Sequence, residues 1–463
     1  MRVRLAVFTL LVSLAAHAQQ GRSLFPNDVR YQMDVAATKI LAATGVPSAS
    51  IAVVKDGRMA YIQTYGESRL EPRTLVRPDM RYSIGSISKQ FTAVALLLLQ
   101  EQGKLSLDDP VGKFLPNLTR AGDVTIRQLL THTSGYSDFW PQDYVMPMML
   151  KPTTAAHIMD TWARKPLDFE PGTKWQYSNT GFVIAGAIIE KVTGKPYFQF
   201  LRDHIFTPLN MTSVADFDQQ GVAPTDPTGY LRYGLGPARV APDAGAGWMF
   251  AAGELAMTAE DLAKWDIALI ERKIMSPASY KQFETETVLT NGLGTQYGLG
   301  VSVRSESGHR ALTHGGEVSG FTATNTVFPD DRVAVVVLTN QDAANASGTI
   351  AKKLATLALQ DADTARKLEQ AQQIFAGLQK GTINRALFTD NANSYFSEQA
   401  LKDFASSLGP LGAPKEFTQT NQSLRGGMML RVYQVKFADK ALRAWTFEMP
   451  DGKLEQYQVA AAD

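Results

Sequence analysis

Segments with strand character lie at both ends of a long helix-rich region, and this arrangement limits the folds open to the chain. Near the N-terminus, residues 50–54 and 59–63 flank Asp56-Gly57, a dipeptide typical of a two-residue hairpin turn. Helical patterns dominate residues 86–266. Strand character then returns in residues 298–304, 310–314, 323–328 and 333–338. Two strands from the first group and three from the second can pair, which predicts an α+β fold. In it an antiparallel β-sheet is flanked by helices and carries a large helical insertion.

A polar break at residues 360–364 precedes a differently patterned C-terminal segment. An amphipathic helix is expected over residues 365–378. Short strands are expected at residues 428–437, 444–449 and 454–459, with Asp451-Gly452 as a hairpin turn between the last two. We therefore predict a large domain over residues 19–362 and a small α+β domain, of accessory function, over residues 363–463.

Residues 1–18 have the pattern of a secretory signal peptide. Arg2 and Arg4 precede an apolar run, and Ala16-His17-Ala18 matches the A-x-A cleavage pattern. The apolar run of about 12 residues is too short to span a bilayer. The mature chain is predicted to be secreted, or periplasmic in a Gram-negative cell, with no stable membrane span after cleavage.

Charge and cysteine content exclude several classes of function. The formal net charge is +1, and it becomes −1 once the two arginines of the predicted signal are removed. Such a near-neutral chain has no general attraction for nucleic acid or acidic membranes. The absence of cysteine rules out disulfides, thiol catalysis and cysteine-based zinc sites. Histidines are few and no H-E-x-x-H motif occurs, so a histidine-based metal site is not expected. We expect no organic cofactor either.

Ser86-Ile-Ser-Lys89 places a hydroxyl and an amine three residues apart at the start of an apolar helix that ends near Gly103. Residues at i and i+3 share one helix face, so Lys89 can lie beside the Ser86 hydroxyl. Serine is a weak nucleophile at neutral pH and needs an adjacent base, such as an amine with a lowered pKa. Ser86 and Lys89 are thus a candidate nucleophile and base. A capped helix carrying a surface lysine has the same pattern.

Two later motifs offer partners for this pair. In Tyr177-Ser-Asn179, a tyrosine hydroxyl beside a cationic lysine is a second candidate base, and the asparagine can hydrogen-bond the lysine and fix its position. His314-Gly315-Gly316 is predicted to end a strand. Glycines allow close approach of a backbone to a ligand, so the next N–H can join that of Ser86 in an oxyanion hole.

In this order, the three motifs resemble those of the serine β-lactamase and penicillin-binding-protein superfamily. The chain is most similar to class C β-lactamase-related serine hydrolases, with their esterase and D-aminopeptidase relatives. The likeness extends over nearly all of residues 30–360. Supporting segments are residues 105–111, 125–135, 171–179 and 258–265.

The resemblance implies roles for individual residues. Ser86 would form an acyl-enzyme, Lys89 and Tyr177 would act as the base and acid, and Asn179 would orient them. The N–H groups of Ser86 and Glu317 would form the oxyanion hole, and Gly315 and Gly316 would bind the substrate beside it. His314 would be a further catalytic residue. Two coupled groups titrate as a pair, so the sequence leaves open whether the lysine or the tyrosine takes the first proton.

Two departures from the family pattern bear on the substrate. Where related β-lactamases carry Lys-Thr-Gly, this chain has His314-Gly315-Gly316, so the charge and hydroxyl that would hold a β-lactam carboxylate are missing. We therefore expect weak or absent β-lactam hydrolysis. Glu254 stands where relatives often have a glycine and is expected at the pocket edge. His132 is interpreted as a structural histidine.

Several aromatic residues near the motifs either line a substrate pocket or pack in the core. They are Tyr136, Phe139, Trp140, Tyr144, Trp248 and Tyr297.

The combined motifs predict a secreted serine hydrolase that acts on a small ester or peptide-like amide. Peptidase or aminopeptidase activity and carboxylesterase activity both fit the pattern. The alternatives are a weak β-lactamase and a non-catalytic penicillin-binding-like protein. The sequence leaves the oligomeric state open.

Overall fold

The structure is a computed structural model that describes residues 25–142, 144–306, 308–359 and 362–462. The predicted signal peptide, residues 1–18, lies outside the described residues.

Strands and helices alternate unevenly along the chain. The strands are β1 (Ser48–Lys55), β2 (Arg58–Leu70), β3 (Arg73–Leu75), β4 (Tyr82–Ser83), β5 (Ala215–Asp216), β6 (Tyr230–Leu231), β7 (Arg239–Val240), β8 (Leu255–Met257), β9 (Ser302–Glu306), β10 (His309–Val318), β11 (Phe321–Phe328), β12 (Val333–Thr339), β13 (Glu416–Arg425), β14 (Met428–Lys436), β15 (Ala441–Glu448) and β16 (Leu454–Ala461). The helices are α1 (Asn27–Thr44), α2 (Ser88–Glu101), α3 (Ile126–Leu130), α4 (Ala155–Ile158), α5 (Asn179–Thr193), α6 (Tyr197–Leu201), α7 (Phe217–Gln220), α8 (Phe250–Gly253), α9 (Ala259–Ile270), α10 (Pro277–Phe283), α11 (Ala346–Leu359), α12 (Ala362–Leu378), α13 (Asp390–Tyr395) and α14 (Glu398–Leu408). In the part of the chain that the structure describes, no helix combines the length and apolarity needed to cross a bilayer.

The main sheet joins the two ends of the larger domain. Its strand order is β3-β2-β1-β12-β11-β10-β9, with antiparallel pairing throughout. At its centre β1 pairs with β12, and Ile51 lies opposite Val337. Every residue of β12 is buried, because helices cover both faces of the sheet. This confirms the predicted α+β fold with a helical insertion between N-terminal and C-terminal strands.

Two predicted strands are placed or ended differently in the structure. The segment predicted at 298–304 is a strand only over Ser302–Glu306, because Gly300 adopts a positive φ of 68° that interrupts an extended chain. The segment predicted at 310–314 continues to Val318. His314 therefore lies inside β10 and does not end a strand.

Helix α1 and helix α11 cover one face of the sheet. In α1 the buried residues Met33, Ala37 and Leu41 recur every four positions and form one apolar stripe. The helix ends at Gly45, whose φ of 67° closes the last turn. Sequence analysis did not predict α1.

In the helical insertion, α2 and α5 begin at two of the sequence motifs. A 3₁₀ turn, Gly85–Ile87, leads into α2, which is buried over most of its length as its apolar sequence predicts. The Ser178 hydroxyl caps α5 by accepting from the Gly181 N–H, and α5 ends at Gly194. These two helix starts fix the positions of Ser86 and Asn179.

The C-terminal domain has its own sheet and core. The strand order is β13-β14-β15-β16, and the buried apolar residues lie between 371 and 457. The structure adds β13, α13 and α14 to the elements that were predicted. Glu448, whose side chain is 11% exposed, pairs with both Lys367 and Arg431 inside this domain. The exact boundary at residue 363 stays a prediction.

Candidate active site

A cleft of about 1120 Å³ opens between β10 and the helical insertion. The start of α2, the start of α5 and residues 137–142 and 144–145 form one side, and residues 314–319 of β10 with its turn form the other. The described lining residues include Ser86, Tyr177, Asn179, His314 and Glu317. The structure thus brings the three sequence motifs to one cavity.

Lys89 lies directly behind Ser86 and is fully buried. Its Nζ contacts Ser86 Oγ at 2.9 Å, Asn179 Oδ1 at 2.7 Å and the Ala252 carbonyl oxygen at 2.8 Å. An ammonium has three N–H donors, so these three acceptors use all of them. The alternative interpretation, a surface lysine on a capped helix, is wrong for this site.

Burial shifts the pKa values of the two candidate bases, Lys89 and Tyr177, in opposite directions. Burial lowers the pKa of Lys89 to about 7, with the charge of Asp138 opposing the shift. Tyr177 hydrogen-bonds to Ser86, and its ring centroid lies 4.9 Å from Lys89 Nζ. Burial raises the pKa of the Tyr177 hydroxyl. Near neutral pH the lysine is therefore the group that exchanges a proton more readily.

Asp138 is a site residue that sequence analysis missed. Its Oδ1 accepts from the Asn179 backbone N–H at 2.9 Å, and its Oδ2 accepts from Asn179 Nδ2 at 3.3 Å. Oδ1 also accepts from the Trp140 N–H at 3.2 Å. Its only sequence signal was its place just after the family-like segment 125–135.

His314 is largely buried in the wall of the cleft and is linked to two neighbours. Nε2 lies 2.8 Å from the Tyr297 hydroxyl, and Nδ1 lies 2.6 Å from the Gly315 carbonyl oxygen. Burial, helped by the charge of Lys89, lowers the pKa of His314 to about 4. The imidazole is therefore neutral at physiological pH.

The contacts of His314 extend into a directed chain of hydrogen bonds. The Ser178 N–H donates to His132 Nδ1, which places the His132 proton on Nε2, 3.2 Å from the Tyr297 oxygen. Tyr297 then donates to His314 Nε2, and His314 Nδ1–H donates to the Gly315 carbonyl. His132, interpreted from the sequence as structural, takes part in this chain behind the cleft.

The backbone of β10 packs tightly against the turn that carries Ser86. A Cβ atom at Gly316 would lie 1.9 Å from the Ile84 carbonyl oxygen, and one at Gly85 would lie 2.9 Å from the Glu317 nitrogen. Only glycine fits such contacts. The Glu317 side chain points to another loop, where it accepts from the Ala343 N–H at 2.8 Å.

The prediction that Glu254 lies at the pocket edge is wrong. Its side chain is buried, and it is absent from the described lining of the cleft. Burial, together with the charges of Asp216, Asp218 and Glu190, raises its pKa well above the usual value. The acid lies behind the cleft because its backbone follows α8, whose Ala252 and Gly253 face the cavity.

The aromatic residues fall into two groups. Phe139, Trp140, Tyr144 and Trp248 line the cleft. Tyr136 does not, and its hydroxyl donates to the Thr119 carbonyl at 2.9 Å. Among the described residues, no group of three or more histidines and carboxylates has the arrangement of a metal site.

Comparisons with known proteins agree with this geometry. The family model described as Beta-lactamase matches residues 33–360. The putative penicillin-binding protein PbpX of Bacillus subtilis (strain 168) is 28% identical over 301 residues, which cover 63% of this chain and 70% of that protein. The crystal structure of a D-stereospecific amidohydrolase from Streptomyces sp. is similar with a TM-score of 0.61 and 29% identity, over 70% of this chain and 97% of that one.

A further likeness in fold extends beyond the matched family region. The octameric penicillin-binding protein homologue from Pyrococcus abyssi has a TM-score of 0.63 at 23% identity, and the match covers 94% of this chain and 96% of that one. The family model spans well over half of the present chain, and the cleft holds a serine next to a buried lysine. The chain therefore belongs to the beta-lactamase family and is a serine hydrolase.

Proposed function

We propose that this hydrolase cleaves a small ester or peptide-like amide through an acyl-enzyme on Ser86. The contact between Lys89 Nζ and Ser86 Oγ, at 2.9 Å, carries the proposal. A buried amine with a pKa of about 7 next to a serine hydroxyl meets the requirement for an activated nucleophile.

Lys89 is the base of the first proton transfer in this proposal. When its ammonium loses a proton, the two remaining N–H groups stay on Asn179 Oδ1 and the Ala252 carbonyl, and the lone pair faces Ser86. The amine takes the hydroxyl proton while Oγ bonds to the substrate carbonyl carbon. The raised pKa of Tyr177 argues against a phenolate base.

The carbonyl π electrons move onto oxygen as this bond forms. The resulting oxyanion would accept from the N–H groups of Ser86 and Glu317, which the contact between Gly85 and the Glu317 nitrogen brings near each other. When the carbonyl forms again, the bond to the amine or alcohol breaks. The leaving group takes the Tyr177 proton, which the Lys89 ammonium replaces. Water then attacks the acyl group, and the reversed proton transfers release the acid.

The charge of the cleft disfavours substrates with a carboxylate next to the reacting bond. Its described lining contains no lysine or arginine, and its charged members are Asp138, Asp168 and Glu317. His314 is neutral at physiological pH because its pKa is lowered to about 4. A missing charge-assisted hydrogen bond costs about 1.5–3 kcal/mol, or roughly one to two decades in recognition. We therefore propose amide or ester hydrolysis with little β-lactamase activity, in line with the similarity to an amidohydrolase.

The predicted signal peptide supports a secreted or periplasmic enzyme, and the separate core at residues 371–457 supports an accessory C-terminal domain. N-terminal sequencing of the exported protein tests the first proposal: cleavage after Ala18 supports it, and an intact N-terminus contradicts it. A truncated chain ending near residue 362 tests the second. It should still be labelled at Ser86, whereas a folded truncation that is not labelled would contradict an accessory role.

The decisive experiment on function combines labelling with a substrate panel. A fluorophosphonate should add one adduct at Ser86, and Ser86→Ala should remove both the adduct and the activity. The panel compares kcat/KM for a short acyl ester, D-amino-acid amides, dipeptides and a cephalosporin. We expect the cephalosporin to rank lowest. Unchanged activity in Ser86→Ala without an adduct on the wild type would refute the acyl-enzyme, and efficient cephalosporin turnover would refute the substrate class.

A further inference from the structure

We propose that Asp138 is a positioning residue for the proton transfer, because its carboxylate holds the Asn179 side-chain amide with the oxygen facing Lys89. This inference rests on the proposed function, in which Lys89 acts on Ser86.

The amide of Asn179 has two orientations, and its neighbours distinguish them. In the observed orientation Oδ1 accepts from Lys89 Nζ at 2.7 Å, while Nδ2 donates to Asp138 Oδ2 at 3.3 Å. A flipped amide would set its NH₂ group against the lysine and its oxygen against the carboxylate. Both contacts would then join like partners, donor to donor and acceptor to acceptor.

Asp138 is itself fixed, so it can impose this orientation. Its Oδ1 accepts from the backbone N–H groups of Trp140, at 3.2 Å, and Asn179, at 2.9 Å. Together with Asn179 Nδ2, these groups are all N–H donors, the arrangement that an ionised carboxylate requires. The backbone contact also ties the first residue of α5 to the loop that carries Asp138.

The orientation of Asn179 controls where the lone pair of neutral Lys89 points. Two acceptors, Asn179 Oδ1 and the Ala252 carbonyl, hold two N–H groups of the amine and leave its third position on Ser86. If Asn179 turned, the amine would lose one of these acceptors and the lone pair would no longer be restricted to the hydroxyl. Small errors in such geometry cost roughly up to 100-fold in rate.

Asp138 also acts on Lys89 through its charge. Four titratable groups lie around the lysine. They are Asp138 in the loop before α5, Tyr177 before the start of α5, His132 after α3 and His314 in β10. Both histidines have lowered pKa values and Tyr177 a raised one, which favours their neutral forms. Burial raises the pKa of Asp138 as well, but the N–H groups of Trp140 and Asn179 and the charge of Lys89 oppose that shift and favour its carboxylate. Its carboxylate raises the pKa of Lys89 against the effect of burial.

The test is a double-mutant cycle on the full chain with Asp138→Asn and Asn179→Ala, read by kcat/KM for an ester between pH 5 and 9. Asp138→Asn alone should lower the plateau rate by roughly 10- to 100-fold. It should also lower the apparent pKa of the pH–rate profile, near 7, by about one pH unit, since a negative charge near Lys89 has been lost. In the Asn179→Ala background the same substitution should cost less than about threefold, because its partner is already gone.

Asp160→Asn is the control for a general change of charge. Asp160 lies outside the cleft and pairs with Arg164 on the surface, so this variant should keep the wild-type pH profile. Asp138→Ser repeats the test if Asp138→Asn fails to fold, since its hydroxyl can still accept from the Trp140 N–H.

A purely structural role for Asp138 would lower the amount of folded enzyme and leave the apparent pKa of the pH–rate profile in place. An unchanged apparent pKa, or equal losses in the wild-type and Asn179→Ala backgrounds, would therefore overturn the positioning role. Such results would leave the acyl-enzyme intact, because labelling of wild-type Ser86 tests that proposal separately.

Discussion

The imidazole of His132 lies on the ring of Tyr177, with the two centroids 4.2 Å apart and the planes inclined by 33°. Both nitrogens of this histidine are engaged, one by the Ser178 N–H and the other by the Tyr297 hydroxyl. The ring is therefore held from its two edges while its face supports the tyrosine. This is how a residue that does not line the cleft determines the position of one that does.

We expect His132→Phe to keep the ring contact and to lose both edge contacts. The buried Ser178 N–H and Tyr297 hydroxyl would each lose a partner at about 1–3 kcal/mol per group, so the free energy of unfolding should fall by about 2–6 kcal/mol. Urea unfolding measures this loss. The same substitution at the exposed His157 is the control, and a similar loss there would contradict the explanation.

The two buried histidines should make the protein less stable in acid. Their pKa values in the folded protein lie below the usual 6.5, at about 4 for His314, so the unfolded chain takes up protons first as the pH falls. Their contribution to stability is present above pH 6.5 and is lost below it, by about 1.4 kcal/mol per pH unit for each histidine. His314→Gln should reduce the slope of unfolding free energy between pH 6.5 and 5 by this amount. An unaltered slope would show that His314 is not buried in its neutral form.

Glu254 should have the opposite pH dependence. Its pKa is raised well above 4.5 in the folded protein, and its Oε1 has no hydrogen-bond partner among the described residues. The favourable protonated form is fully present below pH 4.5, and stability is lost as the pH rises above that value. Glu254→Gln should therefore stabilise the protein at pH 8 but not at pH 4.5. Glu260→Gln, at an exposed position, should do neither.

Adjacent glycines in β10 should respond very differently to alanine. At Gly316 a Cβ would lie 1.9 Å from the Ile84 carbonyl oxygen, whereas at Gly315 the nearest atom is 3.9 Å away. Gly316→Ala must push β10 away from the turn that carries Ser86, so we expect a fall in Tm and a loss of labelling by roughly 100-fold or more. Gly315→Ala should leave Tm within about 2 °C of the wild type. Equal Tm values for the two variants would contradict the close packing.

In the C-terminal domain, Glu448→Gln removes a carboxylate shared by two buried cations. Glu448 Oε1 lies 2.6 Å from Lys367 Nζ, and Oε2 pairs with Arg431. Breaking a buried ion pair costs about 3–5 kcal/mol because the remaining charge stays buried. Calorimetry should show a lower unfolding temperature for this domain, with labelling of Ser86 unchanged. A uniform shift of the whole transition would mean that the two domains unfold together.

Local patterns predicted the parts of the site that depend on neighbours in the sequence. The three-residue spacing of Ser86 and Lys89 becomes a contact because both lie on the same face of one helical segment. The central strand at residues 333–338 was predicted because a short run rich in valine is typical of a buried strand. The Asp56-Gly57 turn was found for a similar reason, since both residues have the positive φ that its turn type requires.

What the sequence did not predict depends on contacts between distant segments. His132 and Tyr297 meet across 165 positions, and Asp138 reaches Asn179 across 41. The extension of β10 through Gly315 and Gly316 is decided by the packing of Ile84 and Gly85 against it. Glycine is usually unfavourable in strands, so the local sequence pattern predicted an end of β10 at His314, four residues too early.

The pairing of β1 with β12 determines when the main sheet can form during synthesis of the chain. β1 leaves the ribosome long before its central partner β12, which ends at Thr339, close to the end of the larger domain. Until that partner arrives, the edge of β1 has open backbone hydrogen-bonding groups beside the apolar residues 51–54. The sheet can close only after nearly all of this domain has been synthesised. Long-range strand pairing of this kind slows folding in general and leaves strand edges open to aggregation in the meantime.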